Sequence, residues 1–212
     1  MSGGWAVLVD VRVLLLVGLL LVVLALATLV LSTAARRLDR LHRRADGARA
    51  ALVEQLVRRA AATDRLARSG LLDPAASVLL AGAAAEALGV GEPARTAPVV
   101  PPPDGTAEPA GAVRLAQGRE RAESDLSAAL RAALPPEVLA DLTSRPEAEG
   151  LLGDLATSCH RLALARRLAN DAQVQVARRR RSRLVRWAHL AGRAPAPRTF
   201  EVDDEPPPGL LP

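Results

Sequence analysis

The sequence predicts an all-α protein: a single N-terminal transmembrane helix followed by an antiparallel bundle of long helices. Three observations predict it. Val13 to Leu31 is a run of nineteen residues without a charge, long enough at about 1.5 Å per residue to cross the hydrocarbon core of a bilayer. Leu151, Leu155, Ser158, Leu162, Ala165, Ala169, Ala172 and Val176 recur at steps of 4, 3, 4, 3, 4, 3 and 4, the seam of a helix packed along another helix. Nowhere does apolar and polar residue alternation compete with this period.

Composition narrows the function classes. The chain has 212 residues, half of them hydrophobic and only 1% aromatic, with one Cys, three His, no Tyr and 28 basic residues, every one of them Arg. One Cys excludes an intrachain disulfide and a zinc site built from several thiolates. The scarcity of aromatic rings argues against stacking platforms for single-stranded nucleic acid.

Taken in order, residues 1–12 form a short N-terminal segment expected outside the cytoplasm, and 13–34 the transmembrane helix. A cleaved signal peptide is the rival, with Ser32-Thr33-Ala34-Ala35 as small residues at a cut. Its apolar core would be longer than usual, and the leading segment, with Asp10 and Arg12, is neutral rather than positive. Arg36, Arg37, Arg40, Arg43 and Arg44 crowd the far end. The positive-inside bias then puts the N-terminus outside and the remainder in the cytoplasm.

The span 35–89 holds the first bundle helices. Leu38, Leu41, Ala45, Ala48, Leu52, Leu56, Ala60 and Ala67 form a helical stripe over 36–69, which can continue from the transmembrane helix because nothing breaks the chain between Leu31 and Arg36. Gly70 is a stop signal, and Asp73-Pro74 supplies an N-cap and a first-turn proline for a helix over 74–89. Its larger apolar residues are Val78, Leu79 and Leu88. Residues 90–111, with six Pro and three Gly, read as an exposed or disordered linker.

The remaining bundle helices occupy 112–192. A third helix covers 112–133 and stops at Pro135-Pro136, with a helical turn around Val138, Leu139 and Leu142 after it. Ser144-Arg145-Pro146-Glu147 matches a capping box, predicting a helix from 147 to about 191 that ends in a basic amphipathic segment. That segment holds Arg178, Arg179, Arg180, Arg181, Arg183, Arg186 and Trp187. Residues 178–198 carry eight Arg and no acid. Contact with an anionic leaflet or an acidic partner is one reading of this cluster. Solvated arginines around a bundle core formed by Leu184, Trp187 and Leu190 are the plainer one. Nucleic-acid binding through Arg178–Arg186 is disfavoured, since no recognition fold accompanies the arginines. Residues 193–212 form a Pro-rich acidic tail, where Asp203-Asp204-Glu205 is expected to be solvated.

No catalytic, cofactor or metal site is expected. His42, His160 and His189 have no ligand spacing, and Cys159 reads as a small core residue. Arg119-Glu120-Arg121-Ala122-Glu123-Ser124 has a surface likeness to the helical Arg-Glu-x-x-Glu-Glu core of a Nudix pyrophosphatase. Ser124 stands where the last Glu would, and the α/β fold is missing. The expected partners are membrane lipids, an unspecified protein, and a further copy of the chain.

Three stretches resemble the LemA family. Gln55-Leu56-Val57-Arg58-Arg59 is similar to its Gln-Leu-x-Arg-Arg. Ala165-Arg166-Arg167-Leu168-Ala169-Asn170-Asp171-Ala172 is similar to its Ala-Arg-x-x-Tyr-Asn-Asp-Ala, with Ala169 for the Tyr. Ala194 to Glu201 is similar to its Pro-rich, Phe-Glu closing stretch. The resemblance implies a membrane-anchored helical bundle without a settled biochemical role. It singles out Gln55, Arg58, Arg59, Asn170 and Asp171, with Asn170 and Asp171 expected to share a role or to hydrogen-bond between helices.

Overall fold

The computed structural model describes residues 3–89, 110–181 and 198–211. Among them the chain is all-helical: α1 (Gly3–Ala67), α2 (Pro74–Gly89), α3 (Ala110–Ala133), α4 (Pro136–Thr143) and α5 (Pro146–Arg180). The linker read at 90–111 lies almost wholly outside the described residues, as do Arg183, Arg186 and Trp187.

The membrane stretch and the first bundle helix are one element. α1 has 65 residues, about 98 Å of continuous helix. Its first part is apolar on every side and uncovered: Leu15 is 68% exposed and Leu20 65%, and its most apolar window has a mean hydropathy of 2.9 with none of it buried. Such a surface suits lipid, and by length and composition this part of α1 is a candidate membrane span. The hydroxyls within and beside it are satisfied inside the helix. Thr28, Ser32 and Thr33 donate to the carbonyls of Ala25, Leu29 and Val30 at 2.8, 3.0 and 2.9 Å, as a low-dielectric surrounding requires.

Buried positions begin at Leu38. α5 runs antiparallel to α1. Ala172 and Val176 pack on Leu41 and Ala45, Leu162 and Ala169 on Leu52 and Leu56, and Leu152, Leu155 and Cys159 join Ala60 and Leu66. α2, α3 and α4 complete the half farther from the apolar stretch, bringing Leu80, Leu126, Leu130 and Leu142 into that last cluster. The turn between α1 and α2 forms as the residues dictate: Gly70 takes φ +75°, and the Asp73 carboxylate accepts from the amides of Ala75 and Ala76 at 2.9 and 3.0 Å.

Two expectations are corrected, the capping box and the first position of the α5 seam. The capping box at Ser144 does not form. Pro146 takes the first helical position, where its missing N–H costs nothing, so Arg145 is the N-cap without a side-chain bond. Ser144 instead closes α4, its hydroxyl donating to the Asp141 carbonyl at 2.6 Å. The large apolar residues Val78 and Leu79 of α2 face outward. The small ones (Ala76, Ala84, Ala87) are buried with Leu80, because α2 approaches its neighbours closely. In the α5 seam Leu151 is only partly covered while Ala148 and Leu152 are buried. α5 is described as helix to Arg180, about 52 Å, with Arg181 as its C-cap; the rest of the expected helix, 182–191, lies outside the described residues.

Candidate functional site: an arginine collar and a clamped tail

The antiparallel register has an electrostatic consequence. Val176 packs beside Leu41. One further turn of α5 and one turn back along α1 therefore bring Arg178, Arg179, Arg180 and Arg181 level with Arg36, Arg37 and Arg40. Two arginine groups about 140 residues apart in sequence thus share one end of the bundle, with Arg43 and Arg44 a turn behind. Arg36, Arg37, Arg40, Arg43, Arg44, Arg178, Arg179 and Arg181 are exposed, and Arg180 is half-covered. Arg43 is held by Asp39 one turn earlier. From Leu31, the last apolar residue, to Arg36 the rise is about 7.5 Å, within a Debye length of about 8 Å at physiological salt. Over that distance a charge is not fully screened from whatever lies at the edge of the apolar stretch.

At the height of Leu56 the bundle holds a buried polar cluster. Arg59, 2% exposed, pairs with Glu123, 1% exposed, through Nη2 to Oε2 at 2.8 Å. The same Nη2 donates to the Glu123 carbonyl at 2.9 Å, and Nη1 to the Ser127 hydroxyl at 2.8 Å. Burial pushes the Glu123 carboxyl above the usual carboxylate range, against the pull of Arg59 and Arg119. Glu123 lies in the stretch with the Nudix-like appearance, and the fold uses it as the counterion of Arg59. Its sequence signal is a break in an apolar face: Ala122, Leu126, Ala129 and Leu130 are interrupted by Glu123 and Ser127 at i, i+4.

The acidic tail is docked rather than free: Asp204 is half-buried against the bundle, which corrects the expectation for it, while Asp203 and Glu205 remain exposed as expected. Residues 200–210 lie as a non-helical strap against α3 and α5, ending in a turn in which the Leu210 N–H donates to the Pro207 carbonyl at 3.1 Å. Asn170 grips the backbone of Phe200 at two points: the Phe200 N–H donates to Oδ1 at 2.8 Å, and Nδ2 donates to the Phe200 carbonyl at 3.1 Å. The Phe200 ring joins Leu52, Leu56 and Leu162. Arg166 holds Asp204 by two parallel bonds of 2.8 and 2.9 Å, the fork geometry that makes Arg–carboxylate pairs strong. Arg131 reaches both the Asp203 carboxylate, at 2.5 Å, and the Glu205 carbonyl, at 2.8 Å. Ser127 accepts from Arg59 and donates to the Asp203 carbonyl at 2.6 Å, joining the strap to the buried ion pair. Pro207 is buried and Leu210 packs on the main core. Charge recognition, not sequence period, holds this segment, so its contacts left no pattern to read.

The family-motif positions divide. Arg59 and Asn170 are central, Asn170 serving a helix-to-strap rather than a helix-to-helix bond. Gln55 is half-buried with its Oε1 buried and unbonded. Arg58 is exposed and paired with Glu54, and Asp171 is exposed. The Cys159 thiol is buried, and that burial raises its pKa, which keeps it from nucleophilic chemistry. No cluster of metal-ligating side chains occurs among the described residues.

The Arg131 hydrogen bond holds the Asp203 carboxyl below its ordinary value of 3.8. A group depressed in the folded state stabilises it fully above the unfolded pKa and loses that contribution as pH falls through the folded one. Strap docking is therefore expected to be constant from neutrality to about pH 4 and to weaken below. Amide hydrogen exchange of residues 200–210 checks this; strap protection unchanged well below that range, while the helices stay protected, would contradict it.

No family model matches this chain, and no curated protein and no solved structure is significantly similar to it.

Proposed function

We propose that this chain is a non-enzymatic, single-pass membrane protein of LemA-like type. Its N-terminus lies outside, and its bundle acts in the cytoplasm as a scaffold or adaptor against the inner leaflet. The observation that carries the reading is the collar, with Arg36, Arg37 and Arg40 on α1 and Arg178–Arg181 on α5 ending together just beyond an uncovered apolar helix. Arginine at that depth favours the cytoplasmic side and is attracted to anionic lipid by about 1 kcal/mol per residue. The LemA-like part rests on position: Asn170 and Phe200, from two of the three resembling stretches, bind each other. Among the described residues no groove-reading element accompanies Arg178–Arg181, so nucleic acid is the weaker ligand.

A reporter fused after Pro212, active on one side of the membrane only, tests the orientation. Cytoplasmic activity is expected. Activity on the outer face would reverse the topology and remove the inner leaflet as the ligand.

A further inference from the structure

The strap is bound as a peptide ligand is bound. Its backbone is neither helix nor strand, one amide side chain (Asn170) bonds both the N–H and the carbonyl of one of its residues, and two arginines (Arg131 and Arg166) read successive carboxylates. An aromatic ring fills an apolar site at one end and a leucine does so at the other. Spacing and charge together define the ligand: Phe200, then Asp203-Asp204, then Pro207, then Leu210. None of these contacts depends on which chain supplies the segment.

The covalent connection does not force the segment into its own groove. Sixteen residues, 182–197, join Arg181 to Arg198, enough chain to reach about 55 Å. Asn170 lies only ten residues back along α5 from Arg180, about 15 Å. With helix axes about 10 Å apart, the groove of a bundle standing alongside is about 25–30 Å away, inside that reach. Copies anchored by α1 would stand side by side with their grooves at the same height above the membrane.

We propose that the α3–α5 groove is an exchangeable docking site whose second occupant is the Phe200–Leu210 segment of another copy of this chain. Neighbouring anchored copies are thereby joined strap in groove. The proposal takes its crowding from the membrane-anchored reading above and names the partner through which the scaffold extends. Exchange conserves every strap contact, so only density decides the outcome. A short tether supplies its own strap at an effective concentration in the millimolar range, and closed chains prevail when copies are sparse. Linked chains prevail when lateral crowding competes with that value, as in domain swapping.

The test is co-expression of two full-length chains with different tags, covalent crosslinking in the membrane while the copies are still crowded, then mild detergent extraction and sequential capture. Wild-type chains are expected to co-purify. Removing residues 199–212 from one chain should halve the yield, and removing them from both should abolish it. A charge swap provides the specific control. One chain carries Arg166→Glu and the other Asp204→Arg, so each groove accepts only the other's strap. That mixed pair should be recovered about tenfold over either variant paired with itself, the ratio given by about 1.4 kcal/mol of discrimination. The proposal is overturned if wild-type chains do not co-purify, if double removal leaves the yield unchanged, or if the mixed pair gains nothing over the like pairs. Because capture is read in detergent, a reversed topology leaves it unaffected, and a correctly anchored chain that never exchanges fails here alone.

Discussion

Replacing Glu123 by Gln destabilises the bundle by about 3–5 kcal/mol, the usual cost of stripping the counterion from a buried charge. Gln keeps the shape of Glu123 and can still accept from Arg59, so the substitution isolates the charge. Arg59 is 2% exposed, its Nε has no partner, and no other carboxylate bonds it; a guanidinium does not deprotonate to escape. The reverse substitution, Arg59→Met, costs less. Glu123 is already pushed toward its neutral form by burial, and a carboxyl left alone takes up a proton. The pair Arg59→Met with Glu123→Leu recovers most of the loss, because apolar replacement of a buried ion pair is often neutral or better. Urea unfolding of a chain beginning at Arg36 measures all three, since among the described residues every buried one follows that point. A loss below about 1 kcal/mol for Glu123→Gln is the value for an exposed pair and would mean that water reaches this site.

The second large effect is on lipid. Changing Arg178, Arg179, Arg180 and Arg181 together to Gln removes four charges at about 1 kcal/mol each. Binding of the Arg36-onward chain to anionic vesicles should fall by nearly three orders of magnitude, 1.4 kcal/mol being a factor of ten. Arg178, Arg179 and Arg181 are exposed and Arg180 is half-covered, so urea unfolding of the same variant separates lost binding from lost fold. Equal changes at Arg58, Arg65, Arg68 and Arg145, four exposed arginines away from the collar, should leave vesicle binding near its starting value. That contrast separates collar position from net charge.

What was legible in the sequence follows the helical period. The α1 and α5 faces repeat at three and four residues, so their core positions from Leu38 to Ala67 and from Leu155 to Val176 could be read directly. The Gly70 and Asp73 signals were local and sufficient. The capping box failed because a second local signal, Pro146 at the first helical position, set the start of α5 one residue later than a Ser144 N-cap required. The strap was illegible for a different reason. A non-helical segment held through side-chain-to-backbone bonds has no period, and acids beside three prolines look solvated until their arginines are placed. Arg131 and Arg166 lie 72 and 38 residues from Asp203 and Asp204, separations that only the fold closes. Asn170 and Phe200 both lie in stretches marked by resemblance, but nothing in the sequence pairs them.

The central claim is that the fold gathers distant arginines into a collar that meets an anionic leaflet. Flotation of the Arg36-onward chain with vesicles tests it most directly, comparing zwitterionic lipid with lipid containing an anionic fraction. The account predicts that the chain floats with the anionic vesicles at low salt, stays behind with the zwitterionic ones, and is released as salt shortens the Debye length from about 10 Å at 0.1 M to 3 Å at 1 M. A chain that remains at the bottom of the gradient with anionic vesicles at low salt would contradict it.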